Sequence, residues 1–322
     1  MHETMQQFLD WMATQGRANT VPSYTKGLTR YVEWLGERAP LEVTLETLEA
    51  FQRHLFEDYR RRDTRRPLKL STQATWLSAV KGYYGYLARL RLIAANPSRL
   101  LKLPKVPRTR VRAAALDQQE VMAILALQAQ RVKSKREGAL GWASEVRTLA
   151  LLALAFATGR RRDGLHNLKV AHLDFERNEI RVEREKGRHG RVLPCAQWAL
   201  DAARVYIEQA RQLLVNDRPD PGWLFINKKA RRLNGEYLGR KLRLLQVLTA
   251  EANPDLDELA AKRLSTHSTR VTFAKNLMFL NGASLRVVNE LLLHRRLQTT
   301  TRYTPLELDD LRRACRSAHP RA

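Results

Sequence analysis

Four separated stretches of this 322-residue chain place cationic or proton-transferring side chains where a fold alone does not call for them. The first is Thr158-Gly-Arg-Arg-Arg-Asp-Gly164, in which Arg160, Arg161 and Arg162 open a helix directly behind an apolar one. A helix N-terminus offers N–H groups without partners, and a guanidinium fork matches phosphate oxygens, so this stretch suits an oxyanion. The second is Glu185-Lys-Gly-Arg-His-Gly190, where Lys186 and Arg188 sit on an expected turn that can deliver an ammonium to a neighbouring site. The third is Thr266-His-Ser-Thr-Arg270; residues three apart share a helix face, so His267 and Arg270 can reach one point. The fourth is Leu291-Leu-Leu-His294 followed by Thr299-Thr-Thr-Arg-Tyr303. Taken singly, each has an ordinary structural reading: a capped histidine, a solvated arginine face, a tyrosine packed at helical spacing from Leu306. Taken together, they are cations suited to a phosphate beside a phenol that could attack it.

The composition points to the same partner. Lys and Arg number 57 against 33 Asp and Glu, a net charge of +24. Such an excess repels itself in a compact protein, and a polyanion is the usual reason to tolerate it. Nucleic acid leads; an anionic membrane surface is the alternative, and on composition alone a basic RNA-binding or ribosome-associated role is the ordinary reading. Apolar residues make up 44 %, enough for a sizeable core. No run of about 18 apolar residues is seen, so no bilayer-spanning segment is expected. The opening MHETMQQFLDW lacks the layout of a signal peptide. Two cysteines far apart, Cys195 and Cys315, argue against a disulfide scaffold or zinc finger and fit a reducing, cytoplasmic setting.

The elements that must position these groups are mostly helices. From 5 to 100 the apolar spacing reads as one helix after another, with Met5, Phe8, Leu9 and Met12 on one face and Tyr24, Leu28, Tyr31 and Leu35 on the next. Thr44 and Ser71 are expected helix starts. Arg65 and Arg66 in the charged stretch 59–67, and Lys81 in the helix after it, are candidate DNA contacts. Residues 102–112 read as a stiff basic linker, since each proline disfavours helix in the residue before it. Lys102, Lys105, Arg108 and Arg110 there could lie along a phosphate backbone, as Arg160, Arg162 and Arg188 could elsewhere. Beyond it come a capped start at Leu116–Glu120, a buried helix over 149–157, a β-hairpin from 178–183 and 190–195, and helices near 196–214, 234–251 and 267–281. The expected division is 1–101, a linker at 102–112, and 113–322. The expected fold is mainly α with a small β-sheet.

Several of these pieces resemble the tyrosine recombinases, or phage integrase family, and the resemblance covers nearly the whole chain. Asn19-Thr-Val-Pro-Ser-Tyr24, Ser78-Ala-Val-Lys-Gly-Tyr-Tyr84 and Ala95-Asn-Pro97 look like the family's helical core-binding (SAM-like) domain. Ala157-Thr-Gly-Arg-Arg161, Glu185-Lys-Gly187, His267-Ser-Thr-Arg270, Leu292-Leu-His294 and Thr300-Thr-Arg-Tyr303 follow the order of its α+β catalytic domain. The resemblance implies that Arg161 and Arg270 clamp the scissile phosphate and that Lys186 protonates the leaving 5′ hydroxyl. It implies that His267 transfers a proton, His294 hydrogen-bonds the phosphate, and Tyr303 attacks phosphorus to become a 3′-phosphotyrosine. It further implies a C-shaped clamp on duplex DNA, a homotetramer on paired sites, a monomer or weak oligomer when free, and exchange through a Holliday junction. No cofactor, metal or ATP is expected. Chemistry agrees with these roles: a phenol of pKa about 10 needs neighbouring cations and a base, and one donor aimed at the charge developing in the transition state is worth roughly 2.7 to 4 kcal/mol.

The chain departs from the family pattern at Gly164, where an acidic residue is common, and at Val271, Leu293 and Pro305. The first leaves Arg160 and Arg162 as alternative clamps. The early start of the core-binding pattern suggests a compact, Xer-like or transposon-type member without an arm-binding domain. A helix after Pro305, with Leu308, Leu311, Cys315 and Ala318 on one face, could dock on a neighbour or cover its own domain. The alternatives are a type IB topoisomerase-like enzyme and a catalytically dead DNA-binding regulator.

Overall fold

The computed structural model describes residues 2–17, 20–61, 64–106, 113–183, 190–280 and 282–293. The chain divides into two compact units, Met1–Arg110 and Val111–Ala322.

The first unit is built from α1 (Glu3–Met12), α2 (Val21–Leu35), α3 (Leu45–Glu57) and α4 (Leu70–Arg89). Each contributes the apolar stripe its spacing predicts: Met5, Phe8, Leu9 and Met12 from α1, Leu28, Tyr31 and Leu35 from α2, Leu48, Phe51 and Leu55 from α3. Thr44 caps α3 by accepting from the Thr47 N–H at 3.4 Å. Ser71 does not cap α4: the helix begins two residues earlier than such a cap would set it, with Lys69 at the N-cap position and no side-chain cap. The α2–α4 crossing depends on Gly27, where a Cβ would fall 2.9 Å from the Cα of Trp76. Lys81 turns its ammonium onto its own chain rather than outward. Nζ donates to the carbonyls of Leu101 at 2.7 Å and Arg99 at 3.3 Å, folding the segment after α4 back onto the helix.

The second unit centres on α6 (Leu140–Thr158), flanked by α5 (Gln118–Lys133). The α5 start is a capping box in which Asp117 accepts from Glu120 N and Glu120 accepts from Asp117 N, each at 2.8 Å. Helix α6 begins well before the expected 149, because Trp142, Ala143, Val146 and their buried neighbours extend the apolar face N-terminally. It is long and apolar enough to cross a membrane, with a mean hydropathy of 1.3, and 72 % of it is buried in this unit. It reaches that mean with Glu145 and Arg147 inside it, so it is not an unbroken apolar run, and the helix is the spine of a core. Its two charges are paired: Arg147 donates to the Ile226 carbonyl at 2.6 Å, and Glu145 accepts from Gln128 at 2.8 Å.

After α7 (Arg162–His166) the chain forms a three-stranded antiparallel sheet in the order β1 (Leu173–Asp174), β2 (Glu179–Val182), β3 (Arg191–Pro194). The β2–β3 register pairs Ile180 with Leu193 and Val182 with Arg191; β1, two residues long, was not expected. Helix α8 (Gln197–Val205) continues through a π-helical turn at Tyr206–Arg211 into α9 (Gln212–Val215). Helices α10 (Tyr237–Ala252), α11 (Asp257–Ala261), α12 (Thr266–Phe279) and α13 (Leu285–Leu291) complete the described part. The fold is mainly helical with one small sheet.

Candidate active site

The site is assembled where α6 ends. Gly159 takes the left-handed conformation (φ +54°) and closes the helix with its N–H on the Ala155 carbonyl. A Cβ here would lie 2.6 Å from Cδ1 of Phe273, so glycine also permits the close approach of α12. The next residue, Arg160, turns inward and is only 6 % exposed, while Arg161, the N-cap residue of α7, is exposed.

Helix α12 brings the second pair. Ser265 accepts from the His267 N–H at 3.2 Å and donates its own N–H to Ser268 Oγ at 3.1 Å, fixing where the helix starts. Arg270, 2 % exposed, lies one turn on from His267. Its Nη1 donates to the Gly159 carbonyl at 2.8 Å and its Nη2 to the carbonyl of Leu292 just after α13. One guanidinium thus joins the ends of α6 and α13. Arg160, Arg161 and Arg270 line a single cleft together with Leu291, Leu292 and Leu293. His267 is exposed, yet its pKa is lowered, first by partial burial and then by the charges of Arg270 and Arg161. Among the described residues, then, His267, Arg270 and Arg161 sense one another, and Arg160 shares their cleft. Such a cluster of fixed positive charge suits an anion that acquires more negative charge as it reacts.

Arg162 departs from this group. Its Nε donates to Asp163 Oδ1 at 3.0 Å, and its aliphatic stem passes over Gly235, where a Cβ would stand 3.2 Å from Arg162 Cδ. Asp163, the acidic residue nearest the family's usual position, is therefore turned toward Arg162. Beneath them lies His166, 3 % exposed, with neither ring nitrogen hydrogen-bonded. Burial, then the charge of Arg162, pushes its pKa down to about 4. Lys186, His294 and Tyr303, with Arg108, Arg110 and Arg188, lie outside the described residues. Arg65, Arg66, Lys102 and Lys105 are exposed. Among the described residues no three His, Cys, Asp or Glu side chains converge as a metal-holding group.

Two features were missed in the sequence. A tight turn at 227–232 presents Lys228, Lys229, Arg231 and Arg232 to solvent. Asn227 organises it, its Oδ1 accepting from Lys229 N at 2.8 Å and Arg231 N at 3.2 Å. Arg232 donates in turn to Asn167, directly after α7, at 2.5 Å. The Lys-Lys-Ala-Arg-Arg run was the visible signal for this turn. The other is an ion pair from Arg191 at the start of β3 to Glu290 in α13, across 99 residues of sequence; no local pattern announces it.

A fold of this kind, a four-helix unit followed by a helical unit with an arginine-lined cleft, is that of the enzymes whose profiles the sequence matches. Residues 115–308 match the phage integrase family and residues 5–90 the N-terminal SAM-like domain of phage integrases. The chain belongs to the phage integrase family. Tyrosine recombinase XerC 2 of Ralstonia nicotianae is 32 % identical over 96 % of this chain and 83 % of the relative. Tyrosine recombinase XerC of Myxococcus xanthus is 30 % identical over 94 % of this chain and 92 % of its own length. Among solved structures, XerH bound to its palindromic difH substrate superposes with a TM-score of 0.64 at 17 % identity, covering 92 % of this chain and 78 % of that one. A lambda integrase dimer bound to a core site gives 0.64 at 15 % identity over 96 % and 98 % of the two chains. At these identities the structural likeness speaks to fold.

Proposed function

We propose that this protein is a site-specific DNA recombinase that cuts and rejoins strands through a phosphotyrosine at Tyr303. The observation that carries the reading is the meeting of Arg160, Arg161 and Arg270 around one small depression, with His267 near enough for the charges of Arg270 and Arg161 to act on it. Arg161 and Arg270 would hold the two non-bridging oxygens of the scissile phosphate, with Arg160 the inner alternative to Arg161. His267, whose pKa is lowered first by burial and then by the charges of Arg270 and Arg161, is placed to accept the phenolic proton. Tyr303 Oη then bonds to phosphorus as the 5′ oxygen leaves, and Lys186 supplies the proton that oxygen takes up. His294 hydrogen-bonds the phosphate. The phosphodiester energy is retained in the phosphotyrosine, so rejoining by an incoming 5′ hydroxyl requires no nucleotide.

The domain assignment is 1–101 for core binding, 102–112 for the linker and 113–322 for catalysis. The basic turn at 227–232, with Arg65, Arg66, Lys102, Lys105, Arg108, Arg110, Arg162 and Arg188, would meet the DNA backbone; Lys81, engaged within its own unit, is the weakest of the candidate contacts. Four protomers would act on two paired sites in the cytoplasm. The XerC relatives and the DNA-bound neighbours favour recombination over topoisomerase activity or a dead regulator.

Nicked suicide duplexes test the reading. Wild-type protein should accumulate a covalent adduct, and Tyr303→Phe should bind the same DNA and form none. Recombinant joints from paired sites mark a recombinase; relaxation of supercoiled DNA without joints marks a topoisomerase; a gel shift alone marks a regulator. An undiminished adduct from Tyr303→Phe would move the nucleophile elsewhere.

A further inference from the structure

We propose that Arg191 and Glu290 form a latch that positions the Arg270 guanidinium by holding α13 against the sheet; the proposal rests on the phosphate-clamping role given to Arg270. Among the described residues, helix α13 is anchored by a small apolar cluster that Phe273, Leu277, Met278 and Ala283 help to cover. Its buried side chains are Val288 and the C-cap residue Leu292, which meet α12 at Ala274 in a cluster separate from the main core of the unit. Ser284 caps the other end, accepting from Val287 N at 3.4 Å. Among the described residues, the polar ties that join this short helix to the rest of the unit include two that bear on Arg270. One is Arg270 Nη2 on the Leu292 carbonyl; the other is Arg191 Nη1 on Glu290 Oε2.

These ties act in series. Arg191 opens β3, pairing with Val182 across the sheet, so its backbone is fixed by the hairpin. Glu290 lies two residues before Leu292, and the Leu292 carbonyl shares Arg270 with Gly159, the residue before Arg160 and Arg161. Releasing α13 at Glu290 therefore loosens the carbonyl that sets the plane of a guanidinium whose other edge marks the start of the arginine triplet. Both partners are about half exposed, with side-chain exposures of 45 % and 56 %. A pair so open to water adds little to global stability. Its effect is local, on where a short helix rests, and a small misplacement of a catalytic group is costly in rate.

The two are positioning residues, so the readout must separate turnover from binding and folding. Adduct formation on suicide duplex is measured in single turnover at saturating DNA, with affinity and thermal unfolding measured alongside. The proteins are wild type, Glu290→Gln, Arg191→Glu, Glu290→Arg and the double swap Arg191→Glu/Glu290→Arg. Glu290→Gln should slow adduct formation about 10-fold or more with affinity and melting unchanged. Each single reversal should be slower still, and the double swap should recover to within about threefold of wild type. Wild-type rates in Glu290→Gln, a defect confined to affinity, or reversals that the double swap fails to repair would each overturn the latch. An adduct from Tyr303→Phe run in parallel would instead displace the nucleophile, leaving the relative rates to decide the latch.

Discussion

Replacing Gly159 by alanine tests the packing on which the whole site is hung. At φ +54° a side chain costs roughly 1–2 kcal/mol through the clash of Cβ with the following carbonyl. The new methyl would also sit 2.6 Å from Phe273 Cδ1 and 2.9 Å from Phe273 Cβ. Overfilling of that kind adds about 1–3 kcal/mol, because the new methyl meets the Cβ of the half-buried Phe273 as well as its ring, and a ring rotation alone cannot clear it. The sum, about 2–5 kcal/mol, lowers the melting temperature of a unit this size by roughly 5–15 °C. Calorimetry on the full chain measures it, following the transition of the C-terminal unit. Phe273→Ala in the same background removes the ring but not its Cβ, so the double variant should lose less than the sum of the singles by about 1 kcal/mol. Adduct formation should fall as well, since the Gly159 carbonyl is the acceptor for Arg270. A Gly159→Ala protein melting within about 2 °C of wild type would show that α12 does not press on the end of α6, and the account of how Arg270 is seated would be wrong.

Other outcomes are expected elsewhere. The folded protein keeps His166 neutral down to about pH 4, whereas the unfolded chain takes up its proton near 6.5. Stability is therefore whole above that value and is lost as pH falls toward 4, by roughly 3 kcal/mol in full and about 2 kcal/mol by pH 5. Urea unfolding at pH 7 and pH 5 should show that extra loss in wild type and not in His166→Leu; equal losses would refute it. Glu120, 2 % exposed, holds Lys262 Nζ through both oxygens at 2.6 and 2.7 Å and closes the capping box of α5. Glu120→Ala should cost about 3 kcal/mol by urea titration, because it strips a half-buried ammonium and a helix start together. Lys81→Met should destabilise the N-terminal unit by about 1–2 kcal/mol while leaving the salt dependence of DNA binding unchanged. A log–log slope shallower by about 0.9 would instead make Lys81 a phosphate contact.

What could be read in advance was whatever depends on near neighbours. The caps at Thr44 and Asp117 are decided within three residues, and both stand where the sequence placed them. The alternation over 179–182 and 191–194 likewise foretold the hairpin. Ser71 misled because serine is an eligible cap residue, but Leu70 already belongs to the helix and Lys69 carries the extended backbone. The engagement of Lys81 was not legible, because a cation on a helix looks solvent-facing until the carbonyls of Arg99 and Leu101, about twenty residues on, are known to return to it. At the site, the shared face of His267 and Arg270 followed from helical spacing alone. The inward turn of Arg160 against the outward turn of Arg161 did not. It goes with the left-handed turn at Gly159 and the close approach of Phe273, a juxtaposition spanning more than a hundred residues.

The apolar length of α6 carries a consequence for how the protein is made. Once residue 160 has left the ribosome, the strip that α8 and the turn at Tyr206–Arg211 will later cover has no partner, and it stays bare until some fifty further residues emerge. A nascent chain in that interval offers chaperones, and any nearby lipid, a greasy rod indistinguishable by composition from a membrane anchor. Fragments ending shortly after the arginine triplet should therefore be recovered in inclusion bodies, and the soluble share should rise stepwise as longer fragments add α8, the 224–226 segment, α10 and α12.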